Sequence, residues 1–445
     1  MLKTKVVLLV AVLTSLTAFS QKKWTLKECV DYALQNNISI KQNKLTASLA
    51  EKDVAIAKGS FLPDLNASSS GRFNSGLSQN TSGVLSQTDN INGSFNLSSN
   101  GIIFNGYRNL NSYKQAQLGV ESSKLDIEFI ENDISLRVVN TYLNVLFAKE
   151  NLNVAKTQSE ISKKQIDAAK SQFEAGAIPK GDLLNVQSTA ANDSQNLVRQ
   201  ENILNLALLN LAQLLQISPN NFDVATIDVG SPSAALLYND ANDVYLKALS
   251  TRPEIKKAEL NIKNADLGIE LAKGAFLPTL SYNLGISTSY YHQFNNLFPG
   301  QTNDYFFKQV LKDRVQYGAG LSLNIPIFNR FQTKNRVAKS IINKEQSEFA
   351  LENQKLQLQQ TIQQSYLDAK AAVKTYEAAK LSLDAQKEAF KNAQVSYQYG
   401  NMTLFDYDQV RNRLVNAEGA MIRAKYDYVF KTKVLKFYFG ESVLD

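Results

Sequence analysis

Residue types that make and break bonds are scarce in this chain. His292 is the only histidine and Cys29 the only cysteine, so a metal cluster of the usual His/Cys kind has no material, and the expected cofactor count is none. There is no phosphate-cradling glycine loop, no nucleophile elbow and no Cys–His pairing. The expectation is therefore a protein with no catalytic residue and no metal site. Two acidic residues stand out by position instead. Asp182 and Asp406 each lie six residues after a glycine, Gly176 and Gly400. Thr403 and Asp406 also have the spacing of a helix capping box, which would occupy the carboxylate locally.

The elements that hold these residues follow from repetition. "AKGSFLPDL" at 57–65 returns as "AKGAFLPTL" at 272–280, an offset of 215. The same offset pairs Ala33-Leu34 with Ala248-Leu249 and Ile40 with Ile255. Downstream the offset becomes 224, pairing "IFN" at 103–105 with 327–329, Phe173 with Tyr397, and Asp182 with Asp406. An internal duplication of this length organises the fold. The expected plan is a first repeat over 21–215, a linker over 216–240 and a second repeat over 241–445. The second copy holds nine extra residues between its "FLP" and "IFN" phrases.

Each copy opens with a helix that Gly59 or Gly274, with Pro63 or Pro278, brings to a stop. The period then changes from helical to two. Leu280, Tyr282, Leu284 and Ile286 alternate with small polar residues, and Tyr317, Ala319, Leu321, Leu323 and Ile325 do the same on the return. Phe95 and Leu97 give a weaker version in the first copy. These are strand pairs, at about 63–104 and 278–328, with one apolar and one polar face; loops are expected at 77–90 and about 291–314. After "IFN" the chain runs without Gly or Pro over 331–399, as it does over 120–175 and 182–218. A helix of such length would reach about 100 Å. Ile134, Val138, Thr141, Val145, Ala148, Leu152 and Ala155 form a 4-3-4-3 seam, repeated at Leu358, Ile362, Ser365, Ala369, Ala372, Tyr376 and Ala379, as a left-handed coiled coil requires. Gly176 and Gly400 then reverse the chain, as helix C-caps in the left-handed conformation.

Residues 1–20 carry Lys3 and Lys5, an apolar run from Val6 to Leu16, and small residues before Gln21. That is the pattern of a cleaved export signal, and the run is too short to span a bilayer. Cleavage would leave a net charge of about +5, spread along the chain rather than gathered as a nucleic-acid footprint. Cys29, within an amphipathic helical pattern, reads as a small buried residue. Four strands are too few for a barrel, since the smallest transmembrane barrels have about eight, and an exported protein avoids open sheet edges. Either the strands form such an open sheet, or several chains share one barrel, and the alternation has the sense expected for lipid on the apolar face and water on the polar one. Tyr282, Tyr290, Tyr291, Phe104 and Phe328 are candidates for the interfacial aromatics.

The duplicated plan, the "FLP" ends, the "IFN" restarts and the glycine reversals together resemble the outer membrane efflux protein family, the TolC-like outer membrane factors, over about residues 24–440. The resemblance implies a mainly helical fold with a β-barrel portion: a homotrimer whose twelve strands form one barrel in outer membrane lipid, continued by a long periplasmic tunnel of coiled-coil helices. It implies a passive exit duct for a tripartite efflux pump or type I secretion system. Its partners would be a periplasmic adaptor protein and, through it, an inner-membrane transporter. By position, the adaptor would meet Ala175-Gly176-Ala177 and Tyr399-Gly400-Asn401. The family closes its tunnel near Asp182 and Asp406, with a network whose tyrosine is matched by Tyr397 and an acidic ring whose first position Asp406 fits. Its second acidic position is Gln409 here, Asp408 lies one residue out of phase, and its arginine is replaced by Met402. A ring of Asp406 would attract cations. The alternative reading is an exported coiled-coil structural or adaptor protein without a pore.

Overall fold

A computed structural model describes residues 23–79, 83, 85–226, 238, 240–294 and 305–441. The expected export signal, and parts of the expected linker and of both strand-connecting loops, lie outside these residues. The duplication is visible element by element. Helices α1 (Leu26–Asn36) and α2 (Ile38–Gly59) have 11 and 22 residues; so do α5 (Ala241–Thr251) and α6 (Pro253–Gly274). Helices α3 (Arg108–Glu174) and α4 (Lys180–Leu215) have 67 and 36 residues, and α7 (Gln332–Gln398) and α8 (Leu404–Phe439) match both lengths. None of the described helices is long and apolar enough to cross a membrane.

The described chain divides into two compact units, each drawing on both halves of the sequence. One takes residues up to Leu45, Leu125–Lys256 and Glu352 onward; the other takes Thr46–Lys124 and Lys257–Leu351. The first unit is helical. Its core holds the expected seam: Ile134, Val138, Val145, Ala148, Leu152, Ala155, Leu358, Ile362, Ala369, Ala372 and Tyr376 are all buried, while Thr141, Ser365 and Ala379 are half-buried. Small residues in the seam let the helix backbones approach closely. The short strands β1 (Lys23–Trp24) and β4 (Asp223–Val224) pair in parallel, and the fully buried Tyr142 donates its hydroxyl to the carbonyls of Trp24 at 3.1 Å and Ala225 at 2.6 Å. Cys29 is fully buried here, and burial, reinforced by neighbouring Glu28, pushes its thiol up to about 12.

The second unit carries one antiparallel sheet in the order β2 (Asn66–Gln79), β3 (Leu85–Phe104), β5 (Thr279–Gln293), β6 (Gln316–Asn324). Period-two alternation sorts its residues onto two faces. Phe73, Leu97, Leu284, Ile286, Tyr317, Leu321 and Leu323 share one face and are exposed. Tyr317 is 79% and Leu321 74% accessible, and with their neighbours they make a contiguous exposed apolar face. The other face is a field of Asn and Ser, with Ser70–Ser94 and Asn74–Asn90 hydrogen bonds crossing it.

Two expectations are corrected. The loop expected at 77–90 is largely strand, because β2 runs to Gln79 and β3 begins at Leu85. Apolar alternation fades there, with Ser75, Gln87 and Asp89 on the otherwise apolar face, but the backbone ladder continues. At the other connection β5 extends to Gln293, and a helical turn over Phe306–Asp313 follows. It covers the part of β5 beyond the reach of β6. The buried Gln309 accepts from Tyr291 N–H and donates to Tyr291 C=O, both at 3.1 Å, standing in for a missing strand partner. Tyr291 itself pairs with Asn92 on the polar face and so leaves the set of lipid-facing aromatics. Tyr290, Phe95 and Phe306 pack together on the apolar face instead, with ring centroids 5.0 and 5.9 Å apart.

Candidate functional site

The site begins with how two helices end. At α3 the N–H of Ala177 donates to Gln172 C=O at 2.8 Å and that of Gly176 to Phe173 C=O at 2.9 Å. At α7 the same two bonds run from Asn401 to Ser396 at 2.9 Å and from Gly400 to Tyr397 at 3.1 Å. This is the Schellman pattern, and it needs a left-handed residue, supplied by Gly176 (φ 75°) and Gly400 (φ 73°). Ala175, Gly176, Ala177, Tyr399, Gly400 and Asn401 are all exposed; Tyr399 is 78% accessible. Two blunt, small-residue reversals result, one of them carrying an outward tyrosine.

The second helix of each hairpin starts a few residues on. Pro179 precedes α4 with no side-chain cap. At α8 the Thr403 hydroxyl accepts from Asp406 N–H at 3.1 Å and donates to the Asp406 carboxylate at 2.7 Å. Thr403 therefore caps α8, and the Asp406 carboxylate, engaged by the Thr403 hydroxyl, stays exposed. Gln409 is exposed one turn later. Asp182, Tyr397 and Gly400 come together instead, lining one open cleft of about 1220 Å³ with Gln165, Met402, Tyr407 and Asp408. In it the rings of Tyr397 and Tyr407 stack 4.9 Å apart, and Gln165 donates to the Tyr407 hydroxyl at 3.2 Å. Burial, then the nearby charges of Asp182 and Asp408, raise the Tyr397 phenol above its ordinary value, so it remains a neutral donor at neutral pH.

Next to the cleft lies a cluster that the sequence did not announce. Arg411 is 3% accessible. Its Nε donates to Gln158 Oε1 at 3.2 Å and its Nη2 to Ser162 Oγ at 2.8 Å; Nη2 also pairs with Asp193, which accepts from the Ser162 hydroxyl as well. Nη1 has no hydrogen bond, and Asp408 Oδ1 lies 3.9 Å from it. Burial raises the Asp408 carboxyl, and Arg411 works against that rise. One guanidinium thus fastens α8 to both helices of the first hairpin. Tyr407, Arg411 and Leu414 are all buried, a 4-3 spacing that puts an arginine on the packed stripe of α8. That placement was the available signal.

In the second unit, α2 stops at Gly59 and α6 at Gly274, and 3₁₀-type bonds tighten both exits: Leu62 N–H to Gly59 C=O at 2.9 Å, Leu277 N–H to Gly274 C=O at 3.2 Å. Pro63 and Pro278 follow, and β2 and β5 begin within three residues of them. The side chains released here stand outward: Leu62, Phe276, Ile103, Phe328 and, at 94% accessible, Ile327.

A family model described as "Outer membrane efflux protein" matches residues 29–215 and 244–441. The chain belongs to the outer membrane efflux protein family. This outer membrane efflux protein is 20% identical to "Outer membrane efflux protein BepC" of Brucella suis, over 98% of this chain and 88% of the relative. Among solved structures it resembles the CmeC outer membrane channel of Campylobacter jejuni, with a TM-score of 0.72 and 21% identity over 93% of this chain and 85% of that one. It also resembles the outer membrane protein VceC of Vibrio cholerae, with a TM-score of 0.75 and 15% identity over 94% and 96%. The efflux protein is thus an outer membrane exit duct with the mainly helical, part-barrel fold of these channels, and the family is one of channel proteins rather than enzymes. The pore-less coiled-coil alternative finds no support in it.

Proposed function

We propose that the efflux protein works as a homotrimeric, passive duct, in which each chain lends its four strands to a shared barrel in outer membrane lipid and its helices to a tunnel wall. One observation carries this reading: among the described residues the sheet has an exposed apolar face, an Asn/Ser face and two unpaired edges. In hydrocarbon each unpaired backbone group costs several kcal/mol, so only closure with other copies makes such a sheet viable. Energy for transport comes from an inner-membrane transporter, through a periplasmic adaptor seated on the reversals at Ala175-Gly176-Ala177 and Tyr399-Gly400-Asn401. Asp182, Tyr397, Asp406 and Gln409 belong to the constriction; the first two share the tip cleft, while Asp406 and Gln409 face solvent. With Met402 in place of the family's arginine, the Arg411 cluster supplies the ionic tie between hairpins. Imaging of the detergent-extracted protein, with its mass measured in solution, tests the assembly. A three-fold cylinder is the expected result; a monomer that stays soluble without detergent would overturn the reading.

A further inference from the structure

The duplication found in the sequence also governs strand register. In the first hairpin Asn66 faces Ser98. Shifting the two strands by the sequence offsets of 215 and 224 turns this pair into Ser281 and Ser322, which do face each other in the second hairpin. The two hairpins are thus the same object in register as well as in length. Between them, the second strand of one repeat pairs with the first strand of the next, Ser98 opposite Gly285 and Asn100 opposite Asn283. Among the described residues the same kind of pairing is left unmade at the two ends of the sheet, where β6 is a second strand and β2 a first strand.

We infer that β6 of one copy pairs with β2 of a second copy in the register obtained by applying the two offsets to the β3–β5 contact: Ser322 opposite Ser70, Asn324 opposite Ser68, Gln316 opposite Gly76. The inference rests on the barrel reading above and deepens it from closure to a specific alignment. The faces agree under this shift. Leu321 falls opposite Gly71 and Leu323 opposite Ser69, all on the apolar side, while Ser322 and Ser70 both lie on the Asn/Ser side. A slip of one residue would set Leu321 against Ser70 or Arg72, both of the Asn/Ser side, and fails on this ground.

The helix-to-strand junction bears on the same contact between copies. Gly106 (φ 70°) packs so tightly on Gly274 that a Cβ on either would strike the backbone of the other. The offsets carry this pair to Arg330 and Gly59. Arg330 (φ 56°) and Phe331 (φ 58°) hold the same left-handed turn as Gly106 and Tyr107 (φ 62°). Yet Gly59 has nothing within 4 Å of its Cβ position. Arg330 carries the Cβ that at Gly106 would strike the Gly274 carbonyl, so Arg330 of a second copy would approach Gly59 less closely than Gly106 approaches Gly274, into the space that Gly59 leaves open.

Cysteine scanning of the full chain in a Cys29→Ala background tests both parts. Ser70→Cys is combined in turn with cysteine at 318, 320, 322 and 324, and the intrachain pair Ser98→Cys/Gly285→Cys reports the same geometry within one chain. The expected result is an interchain disulfide yield that peaks at position 322 in the detergent-extracted trimer. A trimer whose yield peaks at 320 or 324, or that gives no interchain disulfide while the control pair oxidises, overturns the register and leaves the barrel reading intact. A monomer overturns the barrel reading itself. Gly59→Ala is a gentler second measurement that needs no paired substitution. It should reduce the fraction of trimer surviving mild SDS, and an unchanged fraction would refute the junction contact.

Discussion

Replacing Arg411 by methionine is the most searching perturbation of the tip. The substitution keeps length and apolar bulk but removes the guanidinium, stranding Asp193, Ser162 Oγ and Gln158 Oε1 together. Breaking a buried ion pair from one side costs about 3–5 kcal/mol. The Asp193 side chain keeps 23% of its surface, so water recovers part of that, and about 2–3 kcal/mol is the reasoned loss. At 1.4 kcal/mol per decade, the tip should open roughly 30- to 150-fold more often. Amide hydrogen exchange on the detergent-extracted protein reads this directly, in peptides spanning 155–165, 188–198 and 404–415. Asp193→Asn, which keeps an acceptor, should cost less, and the double variant should cost clearly less than the sum, with a coupling of at least about 1 kcal/mol. Exchange in these peptides that rises less than about threefold in Arg411→Met, or strictly additive singles and double, would refute the idea that this arginine ties the hairpins together.

Other expectations can be checked with simpler measurements. Cys29, its thiol pushed up to about 12 by burial, should resist maleimide at pH 8 in the folded protein and react once denaturant exposes it. Asp408 has its carboxyl raised above the ordinary 3.8, chiefly by burial. The stability it contributes is therefore present in acid and is lost as pH rises through the window between 3.8 and its folded value. Asp408→Asn should flatten that acid-side rise in melting temperature and be neutral or stabilising at pH 7. Gly176→Ala and Gly400→Ala should each cost about 1 kcal/mol from the left-handed backbone alone, whereas Gly106→Ala, which also meets the Gly274 backbone, should cost more; thermal melts rank them. Asp406→Asn should remove cation preference from single-channel currents, and unchanged ion selectivity would exclude Asp406 from the constriction.

Much of the fold was legible because its signals are local and stated twice. Gly59 with Pro63 and Gly274 with Pro278 end helices by removing side-chain and hydrogen-bonding options, and no distant contact is needed to see it. The 4-3 seam from Ile134 to Ala155 is buried as its spacing requires. Reading failed where alternation ceased to report on backbone pairing. Around Ser75 and Asp89 both faces are polar, so a ladder that continues looks like a loop. Tyr290 and Tyr291 are adjacent and chemically alike, and only the register assigns one to each face. At the tip, the sequence presented Asp406 and Gln409, the exposed pair, while the dense contacts belong to Arg411, Asp193, Ser162 and Gln158. Those four are separated by up to 253 positions, and periodicity along one helix says nothing about the charge waiting on another.

The matched lengths of the helices, 67 with 67 and 36 with 36, restrict how such a chain can change over evolutionary time. One residue inserted in α3 would rotate everything beyond it by about 100°, turning the packed stripe toward water and misaligning Gly176 with Gly400. Both halves would have to acquire the same insertion together. Length can vary freely only where nothing must stay in step. The nine surplus residues of the second repeat obey this: both hairpins keep their register, so the surplus sits wholly in the connection between β5 and β6. That turn is where lineages of this architecture should differ most in size.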